Sequence, residues 1–334
     1  MRTRIDRWLR TPPGRLRAPW RLLVVGVAFL LVTGGVTVAA LAAGIAVDPT
    51  RASGPGIAAA LGVLVANGVA ATLLVLAAAR YVDRRVLADV GWRLDARAAV
   101  DAAAGLAVGA GLVGGAYAVG VAAGVYDPSV DPAAPPGYSF AAWVGVLAAA
   151  MVVVGVYEEL LLRGYVLTNL AEGATAFVGA RGAVAVAVAG SSVAFALLHG
   201  LNPAASRLSF ATIALAGVML GLGYVGTGSL SFPVGIHVAW NLAQVLVGLP
   251  VSGLDVPVRL VRTSVAGDTV VHGGAFGPEG GLLGLGMTAV GCAVTAAYGR
   301  YRGGPIEPIA APALRDRDRQ PPRRAPVRTS RSAR

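Results

Sequence analysis

The sequence predicts an all-α fold, a polytopic membrane bundle of about eight transmembrane helices with both termini cytoplasmic. Three observations carry that reading. The 334 residues are 56% hydrophobic and 13% charged, against roughly 45–50% and about 25% in a soluble domain. The apolar residues run in long blocks that are apolar on both alternations, which excludes barrel strands with their period of two. Positive loops alternate with neutral or acidic ones, as an even number of crossings requires.

The blocks, in order, are 21–47, 56–79, 98–123, 140–162, 182–199, 208–226, 231–249 and 281–299. Each is long enough, or nearly so, to cross about 30 Å of hydrocarbon as a helix. The first exceeds the roughly 7–15 residues of a signal-peptide h-region and is expected to stay as an anchor. The loop at 48–55 holds only Arg51 and Asp48, whereas 80–97 carries Arg80, Arg84, Arg85, Arg93 and Arg97. The loop 124–139 has two aspartates and no arginine. The exception to the alternation is 250–280, expected outside yet holding Arg259 and Arg262, with Asp255, Asp268 and Glu279 as the offset. Residues 1–20 read as a basic cytoplasmic tail, 21–300 as the transmembrane bundle and 301–334 as a disordered Arg/Pro-rich cytoplasmic tail. Glycines such as those in "GLAVGAGLVGG" at 105–115 are expected to serve close helix packing.

The net charge of +11 is carried by arginine alone and clusters at the two ends and in alternate loops. That pattern fits topogenic signals and contact with anionic headgroups of the lipid bilayer. No basic region is interleaved with aromatics, so nucleic acid is not expected as a partner. The single cysteine, Cys292, can form no intramolecular disulfide and reads as a small buried hydrophobe. His272, in a glycine-rich loop, is assigned no role.

Ionisable side chains inside spanning segments are costly and functional by default. Here they are Glu158, Glu159, Arg163, His199 and His237, with Asn241 as a polar companion. Glu159 and Arg163 are four apart on one helical face and can pair. Glu158 is turned about 100° away, free to face another helix as a general base. His237 and Asn241 are likewise four apart, and His199 precedes Asn202-Pro203, where its helix is expected to end.

These residues form "EELLLR" at 158–163, "FALLH" at 195–199 and "HVAWN" at 237–241. Together, with "RGY" after the first and "GTGSLSFPVGIH" leading into the third, they resemble the CAAX protease and bacteriocin-processing family of intramembrane endopeptidases, over about 140–245. The resemblance implies hydrolysis of a peptide bond in a membrane-anchored peptide or protein substrate by a multi-pass protein of the cell membrane. Carried over, Glu158 would activate water with help from His199. His237 and Asn241 would stabilise the oxyanion, and Arg163 would hold Glu159 and its helix. Metal dependence stays open: Glu158, His199 and His237 could hold one divalent ion such as zinc, but there is no HExxH spacing. A non-catalytic immunity or chaperone-like protein on the same scaffold and a transporter are the alternatives. The sequence lacks the internal repeat expected of a transporter.

Simple threading leaves Glu158 near the cytoplasmic end of the fourth span and His199 near the outer end of the fifth, about 20 Å apart. Catalysis demands contact, so the fourth helix is expected to continue through "YVLTNLAEG" at 165–173, with the fifth short or tilted.

Overall fold

The computed structural model describes residues 8–11, 14–47 and 55–303. The expected disordered tail beyond 303, the first seven residues of the basic N-terminal tail and the Asp48/Arg51 loop lie outside the described residues.

All eight apolar blocks are helical. Helix α1 (Ala18–Ala42) carries Pro19 in its first turn, where a missing N–H costs nothing. Helix α2 (Pro55–Ala77) ends in a π turn, Ala78–Val82. Helix α3 (Ala96–Ala122) is capped by Asp95, whose side chain accepts from Ala98 N at 2.8 Å. Helix α4 (Phe140–Glu159) is capped in the same way by Ser139. It continues through a π-helical stretch, Leu160–Leu167, into α5 (Thr168–His199). Helices α6 (Arg207–Thr227), α7 (Ser231–Leu246) and α8 (Leu282–Arg302) complete the bundle.

Among the described residues, six helical runs are long and apolar enough to cross a membrane, and they make this a multi-pass membrane protein. One of them, Phe140–His199, is 60 residues long and contains the fourth and fifth blocks. It bends at Gly179, where φ 68 and ψ 175 are impossible in a helix and need a residue without a Cβ. The fourth helix therefore does continue past 165–173, as expected. The fifth, 180–199, is not short. The seventh block gives a helix of 16 residues, α7, below the length needed to count as a span on its own.

Two features depart from the sequence-based reading. The loop expected at 124–139 contains a strand, β1 (Tyr126–Ala133), paired antiparallel with β2 (Arg259–Val265), so that Tyr126 faces Val265 and Val130 faces Val261. Asp131 on β1 holds both arginines that break the charge alternation, Arg259 at 2.9 Å and Arg262 at 2.6 Å. Those two cations are thus local partners of a carboxylate rather than topogenic signals.

The second departure concerns arginines of the N-terminal tail and of the 80–97 loop, expected at lipid headgroups. Arg15, Arg21 and Arg85 are buried, and they converge on Asp83 and Glu172. Arg21 reaches Asp83 at 3.0 Å and Glu172 at 2.9 Å, while Arg15 and Arg85 both pair with Glu172. Tyr165 and Asn169, from the turn after the EELLLR stretch, donate to Asp83 at 2.8 Å each. Burial of charge is tolerated only when every charge is paired and hydrogen-bonded, and this cluster joins α1, the end of α2 and the α4–α5 continuation through such pairs. Asp101 in α3 is a further buried ion absent from the sequence-based set, bound by Tyr298 and Arg302 at 2.7 and 2.8 Å.

Helix α3 crosses α7 at close range. A Cβ on Gly105 would lie 2.2 Å from Phe232 O, and one on Gly235 2.4 Å from Ala102 O. Small residues at both faces let the backbones meet, as the glycine pattern predicts. This contact sets the position of α7, which carries the HVAWN stretch.

Candidate active site

The six residues singled out in the sequence lie on α4, the π-helical stretch, α5 and α7, and the fold brings all six to one place. Glu158 and Glu159 end α4. Successive residues on a helix diverge by about 100°, and the two carboxylates accordingly face different partners. Glu158 Oε2 lies 4.0 Å from His199 Nε2 and 3.9 Å from His237 Nε2. The separation of some 20 Å that simple threading gives is thereby removed, because the chain turns at Gly179 and returns against the π-helical stretch that follows Glu159.

Glu159 is fully buried and uses one oxygen twice. Its Oε1 accepts from Arg163 Nη1 at 2.9 Å and lies 2.9 Å from His237 Nδ1. The sequence anticipates the first contact; the second, to another helix, it does not. Arg163 also donates to Gly217 O on α6 at 3.3 Å and lies over the Phe195 ring at 4.5 Å. A π-helical stretch inside a helix commonly marks a functional site; here it carries Arg163 and ties α4 to α5, α6 and α7.

The partners fix the tautomers. His199 Nδ1 lies 2.9 Å from Phe195 O. A carbonyl only accepts, so that nitrogen carries the hydrogen and Nε2 presents a lone pair when the ring is neutral. The carboxylate on His237 Nδ1 acts in the same way. His199 Nε2 and Glu158 Oε2 therefore turn acceptor character toward one point, and His237 Nε2 turns toward it a lone pair in the neutral ring or an N–H in the doubly protonated one. Glu158 Oε2 is buried and has no protein hydrogen-bond partner among the described residues.

That point opens on a cavity of about 320 Å³. Asn241, buried one turn along α7 from His237, lines it together with Glu158, His199 and His237. Apolar walls come from residues such as Phe29, Leu61, Leu64, Met151 and Ile236.

Sequence reasoning passed over several residues that shape the site. Tyr157 donates to Glu158 Oε1 at 2.9 Å and lines the cavity. Its place beside the glutamate pair was the only available signal. Phe195 opens the FALLH stretch; its ring meets His199 edge-on at a centroid distance of 4.4 Å and His237 at 6.0 Å, besides receiving Arg163. Glu279 reads in the sequence as a loop charge, but it is buried in the cavity wall.

A zinc-type donor set is present in chemistry but not in spacing. Ligands at about 2.0–2.1 Å around a tetrahedral zinc stand roughly 3.3–3.5 Å apart, and the two nitrogens are 4.0 and 3.9 Å from Glu158 Oε2. Among the described residues no group of three or more His, Cys, Asp or Glu side chains is spaced to hold a metal ion.

No curated protein and no solved structure matches the chain. Residues 140–243, the stretch that holds all three motifs, match the family model described as Type II CAAX prenyl endopeptidase Rce1-like. The chain therefore carries an Rce1-like CAAX endopeptidase domain in that segment, with α1, α2, α3 and α8 lying outside it.

Proposed function

We propose that this protein is an intramembrane endopeptidase of the cell membrane that hydrolyses a peptide bond in a membrane-anchored peptide or protein substrate by a metal-free, glutamate-activated water. One observation carries the reading: Glu158 Oε2 lies 4.0 and 3.9 Å from the Nε2 atoms of two histidines on two other helices, inside a cavity. A gap of that width suits one water hydrogen-bonded to both sides at about 2.7–3.0 Å.

The chemistry follows from the donors and acceptors. Glu158 Oε2 takes a proton from the water, and the water oxygen attacks the scissile carbonyl carbon. The carbonyl π pair moves to its oxygen. His199 Nε2 accepts the water's other hydrogen and aims the lone pair. The new oxyanion accepts from the Asn241 amide and from His237 Nε2–H in the doubly protonated ring, a state that the Glu159 carboxylate beside Nδ1 supports. When the C–N bond breaks, the amine leaves with the proton held on Glu158. Arg163 keeps Glu159 and thereby His237 in place. Both termini are assigned to the cytoplasm from the arginine-rich ends and loops.

The test is the full-length protein, purified in detergent and returned to liposomes, with a library of membrane-anchored peptides read by mass spectrometry. The unmodified protein is expected to cleave some of them. Glu158→Ala is expected to cleave about 10²–10⁴-fold more slowly, and His237→Ala to be impaired as well. A chelator is expected to leave the rate unchanged. Equal product from all three proteins would remove the protease assignment. Loss of activity with the chelator, restored by added zinc, would replace the metal-free step.

A further inference from the structure

Glu279 is the unexplained group in the cavity wall. It is buried, it lies outside the matched segment, and all of its partners are neutral donors. Its Oε1 accepts from Trp240 Nε1 at 2.9 Å and Gln244 Nε2 at 3.1 Å. Its Oε2 accepts from Ser252 N at 2.6 Å and Ser252 Oγ at 2.9 Å. A carboxylate offers about four acceptor sites, so this one is fully used by protein donors.

The donors belong to two elements that the proposed chemistry must hold together. Trp240 and Gln244 are one turn apart on α7, and Asn241 lies within that turn. Ser252 accepts through its carbonyl from Asn202 Nδ2 at 2.9 Å, three residues beyond His199. Ser252 has φ 46, a left-handed conformation unusual for a residue with a side chain. Both groups that hold it there, N–H and Oγ–H, end on Glu279. One carboxylate thus links the turn after α5, which carries His199, to the turn of α7 that carries Asn241.

We propose that Glu279 is a positioning residue for the site: through Trp240 and Gln244 it sets Asn241, and through Ser252 and Asn202 it sets the His199 end. This rests on the endopeptidase reading above. Only a carboxylate satisfies the arrangement, since a glutamine keeps one acceptor oxygen and turns an amide NH₂ against N–H or O–H donors.

The test compares the full-length protein with Glu279→Gln, Asn241→Ala and the double variant in the liposome assay, with thermal midpoints recorded. Glu279→Gln is expected to lower kcat about 10–100-fold, as a misplacement near 1 Å does, with KM within about threefold. The double variant is expected to be slower than Asn241→Ala by clearly less than the factor Glu279→Gln costs alone, because part of the glutamate's effect runs through that amide and the rest through the His199 end. Multiplying losses, an unchanged kcat, or a rise in KM alone would overturn the proposal. A second readout needs no turnover. In a Cys292→Ser background, spin labels at Leu201 and Leu246 are expected to give one narrow distance with Glu279 and a broadened one with Gln. Identical distributions would overturn the positioning role. An inactive unmodified protein would instead remove the endopeptidase reading, leaving this measurement to decide the proposal.

Discussion

Arg163→Met removes the cation at the centre of the site and leaves its methylene volume in place. Arg163 and Glu159 are both fully buried, so water cannot replace the lost partner. The variant loses the 2.9 Å ion pair, the 3.3 Å bond to Gly217 O and the guanidinium over Phe195 at 4.5 Å. Leaving one charge of a buried pair uncompensated costs about 3–5 kcal/mol. At roughly 2–4 °C per kcal/mol for a chain of this size, the thermal midpoint is expected to fall by about 6–20 °C. Glu159→Gln removes the carboxylate charge but keeps an acceptor toward Arg163 and His237, and on its own it strands the guanidinium. The double variant carries neither charge, and a buried pair replaced as a unit is close to neutral. The cycle is therefore expected to show a coupling of about 2–3 kcal/mol, the double variant being more stable than the two single losses predict. Thermal unfolding of the full-length protein in one detergent, followed by circular dichroism, measures all four proteins. A single variant within about 2 °C of the parent, or additive losses, would refute the reasoning that this pair is a closed, desolvated unit.

Other outcomes follow from the same geometry. Asn241→Ala is expected to lower kcat by about 10²–10³ with little change in KM, measured in the liposome assay, because the proposed oxyanion donor would act on charge that develops only in the transition state. Arg21→Met breaks buried pairs to both Asp83 and Glu172 and is expected to cost about 3–5 kcal/mol, read as a lower thermal midpoint. Arg259 and Arg262, by hydrogen bond and charge, hold the Asp131 carboxyl below its ordinary 3.8. A depressed acid contributes fully above its unfolded value and loses that contribution as pH falls through the lowered one. Amide protection of the β1–β2 pair is expected to hold above about pH 4 and fall below it, and Asp131→Asn to abolish that pH step.

What the sequence made legible was whatever is written in local runs. Eight apolar blocks are visible because a spanning helix must be apolar along its whole length. The six site residues are visible because ionisable groups in such runs need a reason. The hidden features depend on partners distant in sequence. The π-helical stretch at Leu160–Leu167 has no composition of its own; it is bounded by Glu159 bonding to α7 and by Tyr165 and Asn169 bonding to Asp83. Strand β1 contains Pro128 and Pro132, which read as loop residues and are tolerated only because β1 has one neighbour. Arg15, Arg21 and Arg85 look like surface cations until Asp83 and Glu172, up to 157 residues away, are placed beside them.

The division between the matched segment and the rest of the chain bears on how the chemistry is sustained. Every motif residue lies within 140–243. The cavity that surrounds them does not: Phe29 comes from α1, Leu61 and Leu64 from α2, and Ser252 and Glu279 from the region after α7. Helix α2 also packs on the neighbour of the proposed base. A Cβ on Gly68 would lie 2.5 Å from Val153 Cγ1 and 2.9 Å from Tyr157 Cδ1, and Tyr157 donates to Glu158. A carboxylate flanked by imidazoles acts strongly only where apolar walls keep bulk water from screening it. The chemistry-bearing atoms and the surfaces that keep their field unscreened therefore come from separate parts of the sequence, and the site belongs to the whole bundle.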